Sequence, residues 1–285
     1  MKNIALIGYG EVGGIFGAAV APQVKSTRAF DIRTSEAMRG RAARDRIALC
    51  TSAAEAVADA DLVISAVTAS ATRDAAQSIA AAVRRGAYVL DINSASPRVK
   101  VQCGALVDEA GGRYVESAVM TSVPPYGIAV PMLLGGAHAD SLVDALTSLG
   151  FKARVAAREL GVASAIKMCR SVMIKGMEAI VIESFLAARR YGVEREVLDS
   201  LAETFPTIDW EKQGRYFWSR VAQHGKRRAE EMREAAATVR EIGLEPLMAS
   251  AIAERHQWIA DLAREGTFEG VGESDWRDYA DRTKR

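Results

Sequence analysis

A short apolar run set directly against a glycine series opens the chain: KNIALIGYGEVGGIFG, residues 2–17. Ile4, Ala5, Leu6 and Ile7 have no polar face, which is the pattern of a central parallel strand covered on both sides. Gly8, Gly10 and Gly13 follow at the spacing G-x-G-x-x-G. In a strand–turn–helix unit the first glycine permits the sharp turn. The second lets backbone approach a pyrophosphate, and the third lets the helix sit close on the strand. The backbone N–H groups of Glu11, Val12 and Gly13 then open a helix, whose free donors and dipole suit that anion. Such a unit needs an acidic residue about 20 positions downstream, and Asp31 supplies it at the end of the strand-like TRAFD, residues 27–31.

A carboxylate at Asp31 accepts hydrogen bonds from a ribose diol and repels a 2′-phosphate, so NAD is the favoured dinucleotide. Arg33, Arg39 and Arg41 follow closely, and guanidinium groups are what a 2′-phosphate seeks. NADP is therefore not excluded. The same arginines also read as a solvated helix face, and both readings stay open.

Apolar strands then alternate with helical stretches. DLVISAV (61–67) and AYVLDI (87–92) read as strands, residues 70–85 and 97–110 as helices. Alternation of this kind gives parallel β-α-β units, in which ligands gather at the carboxyl ends of the strands. That singles out Val67 and Thr68 after one strand, and Asn93 and Ser94 after the next. Asn93, Ser94 and Ser96 also suit helix capping ahead of Pro97. Residues 113–119 and 128–134 read as further strands, joined by MTSVPPYG (120–127). Two prolines and a glycine make that connection stiff, as a substrate-facing loop or simply a rigid turn. A helix over 139–149 and a strand over 152–156 complete a first domain, residues 1–160.

Beyond Gly161 the strand signals stop. One long apolar helix spans 162–190 and ends at Gly192 after Arg189 and Arg190. Shorter helices are expected near 194–204, 208–223, 225–242 and 246–264, broken at Pro206, Gly225, Gly243 and Pro246. The remainder, 267–285, is charged and glycine-punctuated and is expected to pack loosely. Residues 161–285 thus form an all-helical second domain, as a chain of 285 residues has more mass than one ordinary core supports.

A net charge of +1 argues against a nucleic-acid surface. Cys50, Cys103 and Cys169 show no C-x-x-C pair, so neither zinc nor a disulfide framework is indicated, and a reducing cytoplasm fits. His138, His224 and His256 are scattered and form no metal-ligand pattern. The chain enters a core strand at once, leaving no room for a signal peptide, and no apolar run approaches membrane-spanning length.

Lys167 sits among Ala163, Ala165, Ile166, Met168 and Cys169 on the long helix. At about 100° per residue it shares a stripe with Arg170, Ser171, Ile174 and Glu178. A lysine there serves as a proton acceptor if desolvation or a nearby cation lowers its pKa. It equally serves as a snorkelling or ion-paired residue, and spacing leaves the two even.

The order of these features resembles the β-hydroxyacid dehydrogenase superfamily, which includes 3-hydroxyisobutyrate dehydrogenase, 6-phosphogluconate dehydrogenase and, more distantly, the imine reductases. The resemblance covers most of the chain. GYGEVGGIFGAAV matches its glycine-rich turn, and Asp91 to Pro97 (DINSASP) its Asp-x-Ser-Thr-x-x-Pro segment. Residues 116–122 stand for its Asp-x-Pro-Val-Ser-Gly-Gly substrate segment, and residues 161–171 for its Gly-x-Gly-x-x-x-Lys-x-x-Asn-Asn catalytic segment. The resemblance implies an α/β fold, with a doubly wound Rossmann domain followed by an all-α domain that builds a homodimer around the long helix. It also implies hydride transfer between a nicotinamide and a hydroxy-acid-like alcohol or carbonyl, with Lys167 as general acid/base and Ser171 beside it.

Departures from the family pattern imply a rebuilt pocket. Met120 replaces the substrate-binding serine, with Thr121 and Ser122 following, while Arg170 and Ser171 replace the two asparagines. The family's late Lys-Asp pair falls near Glu230 and Glu231. Met120, Val123, Pro124 and Tyr126 make the expected pocket apolar, and Arg170 or Arg228 would bind an anion through bidentate contacts. The expected substrate is a small anionic molecule with an apolar part. Imine or other carbonyl reduction on the same scaffold is the nearest alternative, and a dinucleotide-binding regulator without turnover is the alternative from another class.

Overall fold

The computed structural model describes residues 1–271 and 275–283. Eight strands form one sheet: β1 (Asn3–Ile7), β2 (Ser26–Phe30), β3 (Ala48–Leu49), β4 (Leu62–Ser65), β5 (Tyr88–Asp91), β6 (Arg113–Val119), β7 (Pro131–Gly135) and β8 (Lys152–Ala157). Their order across the sheet is β3-β2-β1-β4-β5-β6-β7-β8. All neighbours pair in parallel except β6 and β7, which are antiparallel and joined by the proline-containing connection. The two-residue edge strand β3 carries no periodicity that a sequence reading can register, and it was not among the expected strands.

Helices α1 (Glu11–Val20), α2 (Glu36–Arg44), α3 (Ala53–Val57), α4 (Thr72–Ala80), α5 (Pro97–Glu109) and α6 (Ala139–Ser148) cover both faces of the sheet. Alternation along β1 shows why its run is apolar throughout. Ile4 and Leu6 join one core with Phe16, Val20, Leu142 and Leu146. Ala5 and Ile7 point the other way, into a core with Val63, Ile79, Val107 and Tyr114. A strand buried on both faces has no position left for a polar residue.

The chain divides into two compact units, Met1–Met168 and Cys169–Arg285. The long helix α7 (Val162–Tyr191) begins in the first and continues in the second. Its first turns belong to the sheet unit for a local reason: the fully buried carboxylate of Glu116 on β6 accepts from the backbone N–H groups of Gly161, Ala163 and Ser164 at 2.7, 3.1 and 3.3 Å. A charge of that sign at a helix N-terminus satisfies otherwise orphaned donors and meets the positive end of the dipole.

In the second unit α8 (Glu194–Thr204), α9 (Trp210–Glu241), α10 (Leu247–Arg264) and α11 (Trp276–Arg282) pack with α7 around Ile182, Phe185, Trp218, Val221, Ile259 and Trp276. The two helices expected over 208–223 and 225–242 are one kinked helix, with His224 non-helical at φ −131° and ψ 16°. Gly225 serves close approach here, since a Cβ on it would lie 2.9 Å from the carbonyl oxygen of His256. The loose packing expected over 267–285 does not hold for α11. Trp276 is fully buried and donates from Nε1 to Glu211 at 2.9 Å, and Tyr279 is buried as well. Nor does it hold at Phe268, which is buried in the same core, while 272–274 and 284–285 lie outside the described residues. Among the described residues no helix is long and apolar enough to cross a membrane.

Candidate functional site

At the end of β1 the glycine turn is held by sterics and by hydrogen bonds. Gly8 has φ +90° and its N–H donates to Phe30 at 2.9 Å. A Cβ on Gly13 would lie 2.1 Å from the carbonyl oxygen of Gly8, so only glycine lets α1 pack this closely on the turn. Gly10 differs: a Cβ there would meet nothing within 4 Å, and as the N-cap of α1 it contributes no side-chain cap. Gly10 thus leaves open space beside the start of α1. A groove of about 530 Å³ runs from this point between α1 and α2, lined among others by Gly10, Glu11, Gly14, Ser35, Met38 and Arg41. A helix start behind a glycine with open space above it fits a pyrophosphate.

Asp31 closes β2 as expected, and its carboxylate also braces the turn. Oδ2 accepts from the Tyr9 N–H at 2.7 Å and Oδ1 from the Arg33 N–H at 2.9 Å. Each oxygen retains a second lone pair, enough for a ribose hydroxyl. Of the arginines that follow, Arg33 and Arg39 are exposed. Arg41 instead stacks on Tyr9, 4.9 Å from the ring centroid, and donates from Nη2 to the carbonyls of Tyr9 and Gly10 at 2.6 and 3.2 Å. It clamps the glycine turn, a role the sequence does not signal.

The ends of β4 and β5 lie next to one another in the sheet. Asn93 links them: its Oδ1 accepts from the Val67 N–H at 2.7 Å and its Nδ2 donates to Ser65 Oγ at 2.9 Å. At 4% exposure the Asn93 side chain is a bracket between two loops. Thr68 is exposed, and its hydroxyl lies 3.2 Å from that of Ser70. Ser94 is half-buried and its Oγ accepts from Lys167 Nζ at 2.6 Å, which brings together two residues 73 positions apart. After β6, Met120 and Ser122 are half-buried and Thr121 is exposed. Val123, expected to line an apolar pocket, belongs to the core of the sheet unit at 6% exposure.

In the helical unit the stripe read from spacing separates by burial. Ser171, Lys175 and Glu178 are buried, whereas Arg170 and Ile174 are exposed. Lys175 donates to Ser171 Oγ at 3.3 Å and pairs with Glu231 at 2.8 Å. Arg228 was expected to bind a substrate anion. Its guanidinium is instead buried and bidentate on Glu178, with Nε 2.8 Å from Oε2 and Nη2 on Oε1. Burial pushes the Glu178 carboxyl up from its ordinary range, and Arg228 opposes that shift. His256 is fully buried beside them, Nε2 3.7 Å from Glu178, and burial holds its pKa down at about 3, so the imidazole is neutral. Neither Lys175 nor the Glu178–Arg228 pair was legible in the sequence, because partners 50 or more positions apart leave no local pattern. Among the described residues no group of His, Cys, Asp and Glu is placed to hold a metal ion.

A parallel sheet whose order reverses between β1 and β4, with a glycine turn and a helix start at the switch point, defines a dinucleotide-binding domain. Residues 3–141 match the NAD binding domain of 6-phosphogluconate dehydrogenase, and residues 188–259 match a domain of unknown function, DUF1932. A conserved hypothetical protein from Sinorhizobium meliloti is 36% identical, with 99% of this chain and 95% of that one covered and a TM-score of 0.79. A conserved protein of unknown function with structural similarity to 3-hydroxyacid dehydrogenases is 29% identical, over 92% of this chain and 98% of that one, at a TM-score of 0.72. The 3-hydroxyisobutyrate dehydrogenase of Mycobacterium tuberculosis, solved with L-serine, shares the fold at a TM-score of 0.71 and 19% identity, with 100% of each chain covered. The chain belongs to the β-hydroxyacid dehydrogenase superfamily. Its fold is a Rossmann domain followed by a helical domain, as in the 3-hydroxyisobutyrate dehydrogenases.

Proposed function

We propose that this protein is a nicotinamide-dependent oxidoreductase that interconverts the alcohol and carbonyl forms of a small, hydroxy-acid-like substrate. The observation that carries the reading is the 2.6 Å hydrogen bond from Lys167 to Ser94, which holds an amine at the carboxyl end of β5, in the same unit as the glycine turn. The nicotinamide, when bound, accepts or returns the hydride. Gly8, Gly10, Glu11, Val12 and Gly13 would hold the pyrophosphate and Asp31 the adenosine ribose, with Val67, Thr68 and Ser94 at the other end of the cofactor. Lys167 takes the hydroxyl proton during oxidation and gives it back in reduction, and Ser171 donates to the substrate oxygen. Met120, Thr121, Ser122 and the exposed Arg170 are the substrate contacts in this reading. The Arg228 guanidinium, engaged by Glu178, is not among them.

The same proposal makes NAD the preferred cofactor, through Asp31, with Arg33 as the residue that would admit NADP. It makes the protein a homodimer through the helical domain and places it in the cytoplasm, where its three free cysteines stay reduced. Imine or other carbonyl reduction is the second reading, favoured by the exposed Tyr126 and half-buried Met120 near the substrate segment.

One set of measurements tests these statements. NADH and NADPH dissociation constants come from fluorescence titration, followed by a panel of hydroxy acids, keto acids and cyclic imines. Tighter NADH binding and turnover of a hydroxy or keto acid are expected. Lys167→Met is expected to lower kcat by about 10² to 10⁴ with cofactor affinity nearly unchanged, the usual worth of general acid–base catalysis. A variant that keeps more than about half of kcat defeats the assignment of Lys167. Turnover of imines alone selects the second reading, and tight dinucleotide binding without turnover of any panel member selects a regulator.

A further inference from the structure

Below the loops that follow β4 and β5, a chain of buried polar groups crosses three strands. It starts at Tyr114 on β6, whose hydroxyl donates to Asp91 Oδ2 at 2.6 Å. Lys100 on α5 reaches the same residue, with Nζ 3.0 Å from the Asp91 carbonyl and 2.8 Å from Oδ1. Asp91 Oδ1 in turn accepts from the Asn93 N–H at 2.9 Å, and the Asn93 side chain holds the Val67 N–H and the Ser65 hydroxyl. Lys100 and Tyr114 are 1% exposed, Asp91 and Ser65 2%.

A lysine and a carboxylate buried to this degree are poor stabilisers, because desolvation offsets their attraction and an apolar pair of the same volume folds as well or better. What they provide is geometry. The ammonium can only donate, so both of its bonds converge on Asp91. Burial, and after it the charge of Asp91, push the Tyr114 phenol well above its ordinary pKa, so that hydroxyl stays protonated and always donates. With its carboxylate fixed from two sides, Asp91 fixes the Asn93 backbone. The Asn93 amide has one usable orientation, since only Oδ1 can face the Val67 N–H.

The loops held in this way have a definite place relative to a dinucleotide. In the order β2-β1-β4-β5 the glycine turn follows β1 and Asp31 closes β2. With the pyrophosphate on the turn and the adenosine ribose at Asp31, the second nucleotide lies over the ends of β4 and β5. We propose that Lys100 and Tyr114 are positioning residues for the nicotinamide half of the dinucleotide, acting through Asp91 and Asn93 to hold residues 65–67 and 93–94 in their binding geometry before the ligand arrives. Preorganisation of this kind raises affinity by removing the cost of ordering the loops on binding. The inference rests on the dinucleotide reading of the glycine turn.

The test uses two ligands on the full-length protein: NADH, which spans both halves of the site, and ADP, which reaches only the glycine turn and Asp31. Wild type is expected to bind both, and a wild type that binds neither removes the dinucleotide reading and this proposal together. Tyr114→Phe deletes one hydroxyl and Asn93→Ala cuts the chain at its far end. Each is expected to weaken NADH about fivefold to tenfold, the scale of one lost hydrogen bond to a charged or preorganised group, while ADP affinity stays within about twofold. Lys100→Met is expected to behave alike, and if it fails to fold the Tyr114→Phe result stands alone. Amide exchange at Val67, followed without ligand, is expected to quicken in Tyr114→Phe. If Tyr114→Phe melts lower but keeps the wild-type ratio of NADH to ADP affinity, the chain only stabilises the sheet and the proposal is overturned. Parallel loss of both affinities overturns it as well.

Discussion

Gly10 and Gly13 stand three residues apart, and the structure separates their roles. A Cβ at Gly13 would sit 2.1 Å from backbone, whereas at Gly10 it would meet nothing within 4 Å. Gly13→Ala is therefore expected to destabilise the protein by about 3 kcal/mol or more, the upper range for overpacking against atoms that cannot yield. Gly10→Ala is expected to keep its circular dichroism spectrum and melting temperature and to lose at least about tenfold in NADH affinity, because its methyl group stands where the pyrophosphate approaches backbone. A Gly10→Ala protein that binds NADH like wild type would show that no ligand passes over this turn.

At the scale of elements, the start of α7 depends on one side chain. Glu116 satisfies three backbone donors from inside the sheet unit, and Lys167 follows less than two turns after the helix begins at Val162. Glu116→Leu leaves those donors without an acceptor and is expected to cost about 1–3 kcal/mol in urea unfolding. Glu116→Gln keeps an acceptor oxygen and is expected to recover about half of that loss. Equal stability of the two variants would mean that the cap does not hold this helix start. Beside the kink at His224, Gly225 brings α9 against the backbone of α10.

For the whole molecule, the exposed apolar residues on α7 bear on assembly. Met173 is 67% exposed and Ile180 57%, seven positions apart and so on one helical face. A second copy of the chain would cover them in the proposed homodimer. Sedimentation equilibrium is expected to return twice the mass of 30.6 kDa. Ile180→Glu is expected to shift the protein towards monomer while its far-ultraviolet spectrum is kept. A monomeric wild type, at concentrations up to about 100 μM, well above the dissociation constant of a stable dimer, would sink this part of the proposal.

From the sequence alone came the elements whose signal is local. The apolar run of β1 with its glycine spacing, the alternation of strands and helices from β4 to β8, the long helix α7 and the family resemblance could all be read from neighbours within a few turns. Asp31 and Lys167 stood out in the same way, one by its distance from the glycines and the other by its apolar surroundings. Only the tertiary structure decided what those side chains touch. It turned Arg41 onto Tyr9, Arg228 onto Glu178 and Asn93 into a bracket between two strand ends. It also drew Lys100 and Tyr114 together on Asp91, and packed Trp276 into a core that the charged terminal stretch did not advertise. The physical reason is range: secondary structure follows from periodicity over ten or so residues, whereas a buried polar group must be satisfied by whichever partner the fold brings to it.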